Sequence, residues 1–384
     1  MSTSVRVVGA SLILVMLGIF AEIFAFAALT FVPQLNRFTY QAPTVTEDEF
    51  QTYLKERHPI LGWPGSSWLE ANADARGARL SPSNAELGNV SPCISVYGDS
   101  FAYGDEVEHS DAWPNVLAGE LECRVDNYGV GGYGVDQALL RFEGHVTEGR
   151  PVGKTVILTV FPDNLNRNVN QWRYLLSRSA FGFKPVFHVR GNSVDLVPLF
   201  SGSFAEFNAV AADPNTHLKN EQYLPGASGF RRLERLRFPY SATLARIAFA
   251  KLGEIRSFDV GGNRSLSNYP SYYDNSDGPS DQKRAVMNHI VDRYTEICQA
   301  NVLECHLVLI PSPEQVFQRE KFGEHDLLDW LSSSASQISF IDATDAFRNV
   351  EDICSELTRP DNCSGHFSPS GNRRLAEFLL ELIG

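Results

Sequence analysis

The stretch Val96–Gly104, with the sequence VYGDSFAYG, decides how the rest of this chain is interpreted. It follows the short apolar run Cys93–Val96, and such a run bounded by glycine is typical of a buried strand in an α/β sheet. Ser100 then stands where the strand ends, at the carboxyl edge where open α/β sheets bind their ligands. Because Gly, Asp and Ser are all turn formers, the tripeptide alone also fits an ordinary turn, and further residues downstream must support a site.

Strands and helices alternate after this stretch. The predicted strands are Cys93–Val96, Cys123–Tyr128, Lys154–Phe161, Cys305–Ile310 and Ile338–Ile341, of which Lys154–Phe161 is the most continuously apolar. The predicted helices have apolar residues at helical spacing, namely Trp113–Leu121, Asp136–Val146, Ser241–Ile255, Asp281–Ala300 and a closing helix after Ser368 and Pro369. This alternation predicts a parallel sheet with helices on both faces. Residues 170–280 interrupt it and are interpreted as an insertion, either near a site or at an oligomer contact.

Several residues that can carry chemistry follow the predicted strands. The run Gly129–Gly134 can bring main-chain N–H groups close to a ligand, although it also fits a tight turn. After the third strand, a side-chain amide such as Asn164 can donate to a developing oxyanion, or it can simply cap a turn. His366 lies just before the closing helix, at the same sheet edge as Ser100, where it is placed to accept the serine proton.

Taken in chain order, these pieces resemble the SGNH (GDSL-type) hydrolase family. The matching blocks are Gly98–Ser100, Asn127–Gly132, Asp163–Asn164 and Asp361–His366. The resemblance covers about residues 90–168 and 300–384. It implies a flavodoxin-like three-layer α/β/α fold with a five-stranded parallel sheet, and a Ser–His mechanism on ester-linked acyl groups that needs neither metal nor cofactor.

The resemblance also implies roles for individual residues. Ser100 is the nucleophile and His366 the base, while the Ser100 and Gly132 N–H groups and the Asn164 amide form the oxyanion hole. Two departures from the family pattern stand out. The block Pro162–Asn164 replaces Gly-x-Asn-Asp, so that Asn166 is an alternative amide donor. Cys363 occupies the usual position of the acid, and Asp361, five residues before the histidine, is the expected acid unless a Ser–His dyad operates through a backbone carbonyl.

The N-terminus carries the only membrane signal. Val7–Val32 is apolar apart from Ser11, Glu22 and Thr30, and about 20 apolar residues are enough to cross a bilayer. A cleaved signal peptide is the alternative, but its apolar region is normally about 7–15 residues long. We therefore expect an uncleaved, single-pass anchor in the inner membrane. Glu22 is expected to be neutral, to snorkel or to pair with another helix.

The six cysteines agree with a domain on the periplasmic side. Six cysteines allow fifteen pairings, and pairs that flank neighbouring elements of the predicted fold are Cys93–Cys123, Cys298–Cys305 and Cys354–Cys363. Their spacing does not fit a structural zinc site. The formal net charge of −13 argues against a nucleic-acid partner.

These observations predict three regions: an anchor over residues 1–36, a stalk over 37–90 that packs on the domain, and a hydrolase-like domain over 91–384. The leading hypothesis is a serine esterase acting on acyl groups, in particular O-acetyl groups, of an envelope carbohydrate. Trp172, Tyr174, Tyr272 and Tyr273 are candidates for stacking on sugar rings. The alternatives are an O-acyltransferase with the same site, a non-catalytic glycan-binding or assembly protein, and a lipolytic enzyme.

Overall fold

A central parallel sheet organises the protein in the computed structural model, which describes residues 3–178, 180, 182–226, 233–254, 258–259, 265–266, 280–322, 326–348 and 350–384. The strands in the described residues are β1 (Ile94–Tyr97), β2 (Val125–Asn127), β3 (Thr155–Val160), β4 (Val186–Arg190), β5 (Ser193–Val197), β6 (Phe258–Asp259), β7 (Ser265–Leu266), β8 (Glu304–Leu309), β9 (Ser339–Asp342), β10 (Leu357–Arg359) and β11 (Ser364–Phe367). The central sheet has the order β2-β1-β3-β8-β9, with every neighbouring pair parallel. This order confirms the predicted flavodoxin-like topology.

Helices cover both faces of this sheet. The α-helices in the described residues are α1 (Thr3–Phe31), α2 (Pro33–Asn36), α3 (Glu47–Glu56), α4 (Ser66–Asn72), α5 (Pro82–Leu87), α6 (Ser100–Tyr103), α7 (Trp113–Glu120), α8 (Val135–Thr147), α9 (Asn164–Arg167), α10 (Phe204–Ala212), α11 (Pro214–His217), α12 (Tyr240–Glu254), α13 (Ser280–Ala300), α14 (Pro313–Phe322), α15 (Asp326–Ser334) and α16 (Pro369–Ile383). The helices predicted from apolar spacing correspond to α7, α8, α12, α13 and α16.

Alternating side chains of the strands enter two separate cores, as the pleat of a strand requires. Val156 and Leu158 of β3 pack in one cluster with residues of α8 and α13. Ile157 between them packs in the other cluster with residues of α7 and α16. The protein therefore has the three layers expected for this class of fold.

The segment before β1 contains more regular structure than its sequence indicates. Helix α3 begins with a capping box in which Thr46 Oγ1 accepts from the Glu49 main chain and Glu49 Oε2 accepts from the Thr46 main chain. Phe50 of this helix is fully buried in the core shared by α8 and α13. Arg79 reaches the loop after Ser100, as described below. Both ends of the segment thus contact the sheet-bearing part of the chain.

Buried side chains of the insertion contact helix α8 and the core beside it. Lys184 Nζ donates to Asp136 Oδ2 of α8, and both side chains are almost completely buried. Trp172 and Tyr174 stack on each other inside the same core, which leaves neither ring exposed to stack on a sugar. Tyr272 and Tyr273 lie outside the described residues.

The three predicted disulfides are present, joining Cys93 to Cys123, Cys298 to Cys305 and Cys354 to Cys363. The first links the strands β1 and β2 at their amino ends, and the second links α13 to β8. The third joins Cys354, shortly before β10, to Cys363, directly before the strand β11 that contains His366.

Candidate active site

Ser100 is held at the carboxyl end of β1 by a tight turn. Asp99 caps α6 by accepting from Phe101 N at 2.9 Å, and Ser100 is the first residue of this helix. A Cβ atom at Gly98 would overlap Thr159 Oγ1 of β3, so only glycine fits this close approach of the strands. Ser100 is 5% exposed. The nucleophile predicted from the sequence therefore lies on a rigid turn at the sheet edge.

The glycine run after β2 packs against this turn. Val130 N donates to Gly98 O at 3.1 Å, and Asn127 Nδ2 donates to Ala102 O at 2.9 Å. Gly132 has a φ of +79°, a conformation that favours glycine. Within the described part of the chain, neither Ser100 N–H nor Gly132 N–H donates a hydrogen bond to a protein group. Both remain available to a substrate oxygen, as an oxyanion hole requires.

The amide of Asn164 is hydrogen-bonded within the protein. Asn164 Nδ2 donates to Asp99 Oδ2 at 2.9 Å and to Tyr133 O at 3.1 Å, while its Oδ1 accepts from Phe161 N at 2.6 Å. Both amide hydrogens are therefore taken within the protein, and Asn164 links the ends of β1 and β3. In this structure the amide holds the turn that carries Ser100, and its role as an oxyanion donor stays a prediction.

The alternative donor, Asn166, is also engaged. Its Nδ2 donates to Asp163 Oδ1 at 3.2 Å, and its Oδ1 accepts from Tyr223 OH at 2.6 Å. Arg167 reinforces the same network, because Nη1 contacts Asp99 Oδ2 at 3.1 Å and Nε contacts Asp163 Oδ2 at 3.0 Å. Arg167 thereby connects Asp99, the residue before Ser100, to Asp163, which also accepts from Asn166.

His366 lies in the β10–β11 hairpin that precedes α16. Its ring centroid is 4.9 Å from that of Phe101, the residue after Ser100. Phe101 in turn stacks on Phe161 at 4.3 Å and contacts Phe367 at 5.2 Å. This aromatic cluster brings the predicted base to the nucleophile turn.

The acid nearest to His366 is Glu106, which the sequence analysis missed. Glu106 Oε1 lies 3.5 Å from His366 Nδ1, and Oε2 accepts from His366 N at 3.3 Å and from Thr358 Oγ1. Partial burial raises the pKa of Glu106, but the hydrogen bonds from Thr358 and His366 and the charges of His366 and Arg359 outweigh it, so the net pKa is below its ordinary value. A carboxylate with a lowered pKa therefore faces His366 Nδ1.

Within the described residues, the Asp361 carboxylate does not lie within 4.0 Å of a His366 ring nitrogen, and its role as the acid stays a prediction. The hairpin closes where Arg359 pairs with Ser364, and Pro360–Cys363 form its tip. Cys363 has a φ of +46°, so the chain reverses directly after Asp361 and leaves that side chain exposed. Within the described residues, no cation lies within 4.0 Å of the Asp361 carboxylate. Glu106, and not Asp361, lies beside His366 Nδ1 in this structure.

A second carboxylate, Asp105, lines the same loop. Burial raises its pKa, the charge of His366 lowers it, and Asp99 raises it, with a net value above the ordinary one. A Cβ atom at Gly131 would lie 3.0 Å from Asp105 Oδ2, which shows how closely this side chain approaches the glycine run.

A cavity of about 410 Å³ adjoins the glycine run. Gly131 and Gly132 form one wall, and Trp63 and Arg173 face them. Trp63 Nε1 donates to Gly131 O at 3.1 Å, and a Cβ atom at Gly132 would lie 3.9 Å from Arg173 Nε. An aromatic ring, a guanidinium group and main-chain N–H groups thus surround a space large enough for a sugar-sized ligand.

No cluster of three or more potential metal ligands occurs in the part of the chain that the structure describes. Near Ser100, the His366 ring lies 4.9 Å from that of Phe101, and its Nδ1 lies 3.5 Å from Glu106 Oε1.

No family model and no curated protein matches the sequence. Fourteen chains of solved structures are similar to it, among them the following three. A putative G-D-S-L family lipolytic protein from Desulfitobacterium hafniense DCB-2 is 11% identical, with a TM-score of 0.35, over 76% of this chain and 98% of that one. A catalytic mutant of an acetylxylan esterase from Geobacillus stearothermophilus is 13% identical, with a TM-score of 0.36, over 77% and 96%. The acetyl xylan esterase AlAXEase is 11% identical, with a TM-score of 0.34, over 76% and 99%. Similarity at this level does not assign an activity.

Proposed function

We propose that the chain is a serine esterase that removes ester-linked acyl groups through an acyl-enzyme on Ser100. The observation that carries this proposal is the position of His366, whose ring packs on Phe101 beside the nucleophile while its Nδ1 faces the carboxylate of Glu106. A serine, a base and a group that orients the base are the components of nucleophilic acyl transfer.

The proposed reaction has two halves. Ser100 Oγ attacks the ester carbonyl carbon, its proton passes to His366, and the N–H groups of Ser100 and Gly132 bind the oxyanion. Collapse of the tetrahedral intermediate breaks the ester bond, and the departing alcohol takes the proton from His366. A water molecule then attacks the acyl-enzyme, again through His366, and releases the carboxylic acid and free Ser100.

Glu106 is the positioning residue in this proposal. Its carboxylate accepts the Nδ1 proton, which fixes the ring orientation and stabilises the imidazolium formed during catalysis. The distance of 3.5 Å is longer than a good hydrogen bond, and such contacts commonly shorten only when substrate is bound.

The substrates we propose are O-acyl groups, in particular O-acetyl groups, on an envelope carbohydrate. The cavity beside Gly132 supports this choice, because Trp63 offers a flat ring and Arg173 a hydrogen-bonding cation to a polyhydroxylated ligand. Small acyl groups suit a nucleophile that is only 5% exposed.

The location we propose is the inner membrane, with the hydrolase domain outside the cytoplasm. Within the described residues, one helix contains a stretch, Gly9–Phe31, that is long and apolar enough to cross a bilayer. Three disulfides support an oxidising compartment. In this proposal residues 1–36 anchor the chain, 37–90 form a segment that packs on the domain, and 91–384 form the hydrolase domain with its insertion at about 170–280.

The test uses the full chain in lipid nanodiscs with a fluorophosphonate probe and a short-chain aryl ester. We expect the wild type to be labelled and to turn over, and Ser100→Ala and His366→Ala to do neither. Asp361→Asn is the control that changes an exposed acid in the same region and should retain both properties. Folded wild type that neither labels nor turns over would refute the esterase. Labelling with release of the acyl group only to an added glycan would favour the acyltransferase alternative.

A further inference from the structure

The N-terminal helix α1 and the insertion helix α12 contact each other through a polar cap. Glu22 Oε2 accepts from Tyr240 N at 2.5 Å and from Ser241 N at 3.4 Å, and Ser241 Oγ donates to Oε1. The rings of Phe26 and Tyr240 lie 5.0 Å apart. Helix α12 therefore begins against the middle of α1.

The depth of this contact follows from helix geometry. Glu22 precedes Phe31, the last residue of α1, by nine residues, which is ~14 Å along a helix that rises about 1.5 Å per residue. The hydrocarbon core of a bilayer is about 30 Å thick. If α1 spans the membrane, Tyr240 lies roughly halfway through it.

Further along α12, Arg246 is linked to residues on the domain side of α1. Arg246 Nε contacts Glu234 Oε2 at 3.0 Å, and Glu234 N donates to Phe38 O at 2.7 Å. Phe38 comes after the end of α1, on the domain side. The chain thus rises from mid-depth at Tyr240 to the domain side at Arg246, where an arginine can reach the interface.

The contact satisfies two groups that would each be costly in lipid. The first N–H groups of a helix have no partner within the helix, and such groups need one inside a membrane. A glutamate within a membrane-spanning helix also needs a partner. Here the Glu22 carboxylate accepts from the main-chain N–H groups of Tyr240 and Ser241. The carboxylate gains hydrogen-bond donors, and the two N–H groups gain an acceptor.

The surface around the contact is apolar and continues the lipid-facing surface of α1. Phe238 is 70% exposed beside the start of α12, and large apolar residues of α1 such as Phe20 and Ile23 are also exposed. A groove of about 650 Å³ between the two elements is lined mainly by apolar side chains, including Ile19, Phe26 and Phe238. An exposed apolar surface of this kind marks a contact with a partner or a membrane.

We propose that residues 238–246 enter the outer half of the bilayer beside α1, so that lipid acyl chains cover Phe238 and fill the groove. The inference rests on the proposed membrane-spanning role of α1. Its consequence is that α1 is not a flexible tether, because two elements of the chain fix the hydrolase domain in one orientation close to the membrane surface.

The test places one nitroxide spin label at a time in the full chain in nanodiscs of phosphatidylcholine and phosphatidylglycerol. All six native cysteines are in disulfides, so that an introduced cysteine is labelled alone. Phe238→Cys is the reporter. Phe20→Cys on α1 is the lipid reference, and Val302→Cys, at a site that is 87% exposed on the domain, is the water reference. The readout is relaxation by oxygen, which concentrates in lipid, against relaxation by a water-soluble nickel complex.

We expect the label at 238 to behave like that at 20 and unlike that at 302. A label at 238 that behaves like 302, while 20 remains accessible to oxygen, would overturn this inference and leave the membrane anchor intact. Labels at both 20 and 238 that behave like 302 would refute the anchor and the inference together. Adding Glu22→Leu, which removes the acceptor, should shift the label at 238 towards water, whereas Glu22→Gln, which keeps one, should not.

Discussion

Replacing Glu106 by glutamine tests how the proposed base is oriented. The carboxylate lies 3.5 Å from His366 Nδ1, and two unit charges at this distance attract by ~1 kcal/mol in water and by ~5 kcal/mol at an effective dielectric constant of about 20. Because the side chains of Glu106 and His366 are 37% and 22% exposed, solvent screens part of this attraction, and a loss of ~2 kcal/mol of transition-state stabilisation is a reasonable expectation. That loss corresponds to a ~30-fold decrease in kcat/KM.

The assay is steady-state hydrolysis of an aryl ester by the full chain in nanodiscs. Asp361→Asn is the matched control, since it makes the same change of acid to amide within the His366 hairpin. We expect Glu106→Gln to lose most of its activity and Asp361→Asn to retain it, with both variants folded by near-ultraviolet circular dichroism. The reverse pattern would refute the assignment of Glu106 and restore Asp361 as the acid.

Glu106→Gln is also expected to change how the stability of the fold depends on pH. Burial raises the pKa of Glu106, but its hydrogen bonds and the nearby cations lower it by more, so the folded-state pKa is below the unfolded value of 4.5. Ionised Glu106 therefore stabilises the fold above pH 4.5, and this contribution is lost as the pH falls through the lower, folded-state pKa. We expect the Tm difference between wild type and Glu106→Gln to be constant near neutral pH and to shrink below pH 4.5. A difference that grows on acidification would contradict the direction of the shift.

Three further variants test groups that hold the site together. Asn164→Ala is expected to lower the free energy of unfolding by ~2–4 kcal/mol in urea titrations, since it leaves buried partners unsatisfied; a loss of kcat at unchanged stability would instead indicate an oxyanion donor. Lys184→Met should cost ~3–5 kcal/mol because it leaves Asp136 buried without its cation, and a stability equal to wild type would show that the pair is unimportant. Removing the Cys354–Cys363 bridge by Cys354→Ala with Cys363→Ser should cost ~2–3 kcal/mol through loop-closure entropy and reduce activity by loosening the hairpin; unchanged activity would argue that the bridge does not position the base.

Much of the sheet could be predicted because its central strands are largely apolar runs, whereas β2 contains only one apolar residue. β3 and β8, for example, are buried on both faces, so that their sequences leave little ambiguity. The helices α3, α4 and α5 were not predicted, since they are short and their stability depends on contacts such as Phe50 in the core.

The site was only partly predictable from spacing along the chain. Ser100 and His366 follow from their places next to a strand and a helix, whereas Glu106 reaches His366 only through the loop after α6 and the hairpin geometry. Arg79 could not be assigned a role either, although Nη1 donates to Gly104 O at 2.7 Å and Nη2 to Val107 O at 2.9 Å, which holds the loop that carries Glu106. A long-range contact of this kind has no periodic signal in the sequence.

The proposed contact of residues 238–246 with lipid was likewise not predicted, because it is inferred from the contact of Tyr240 with Glu22 and from no pattern in the sequence of α12. The sequence did indicate that Glu22 needs a partner, and the structure supplies one from another helix. The partner is the main chain, which no pattern of side chains could identify.

The most direct test of the proposed chemistry is to find where a fluorophosphonate reacts. The full chain is treated with the probe, digested and analysed by mass spectrometry, with Ser100→Ala treated in parallel. The proposed mechanism predicts one adduct, on Ser100, that is absent from Ser100→Ala and strongly reduced in His366→Ala. An adduct on another serine, or none on protein that is folded, would contradict the proposal that Ser100 is an activated nucleophile.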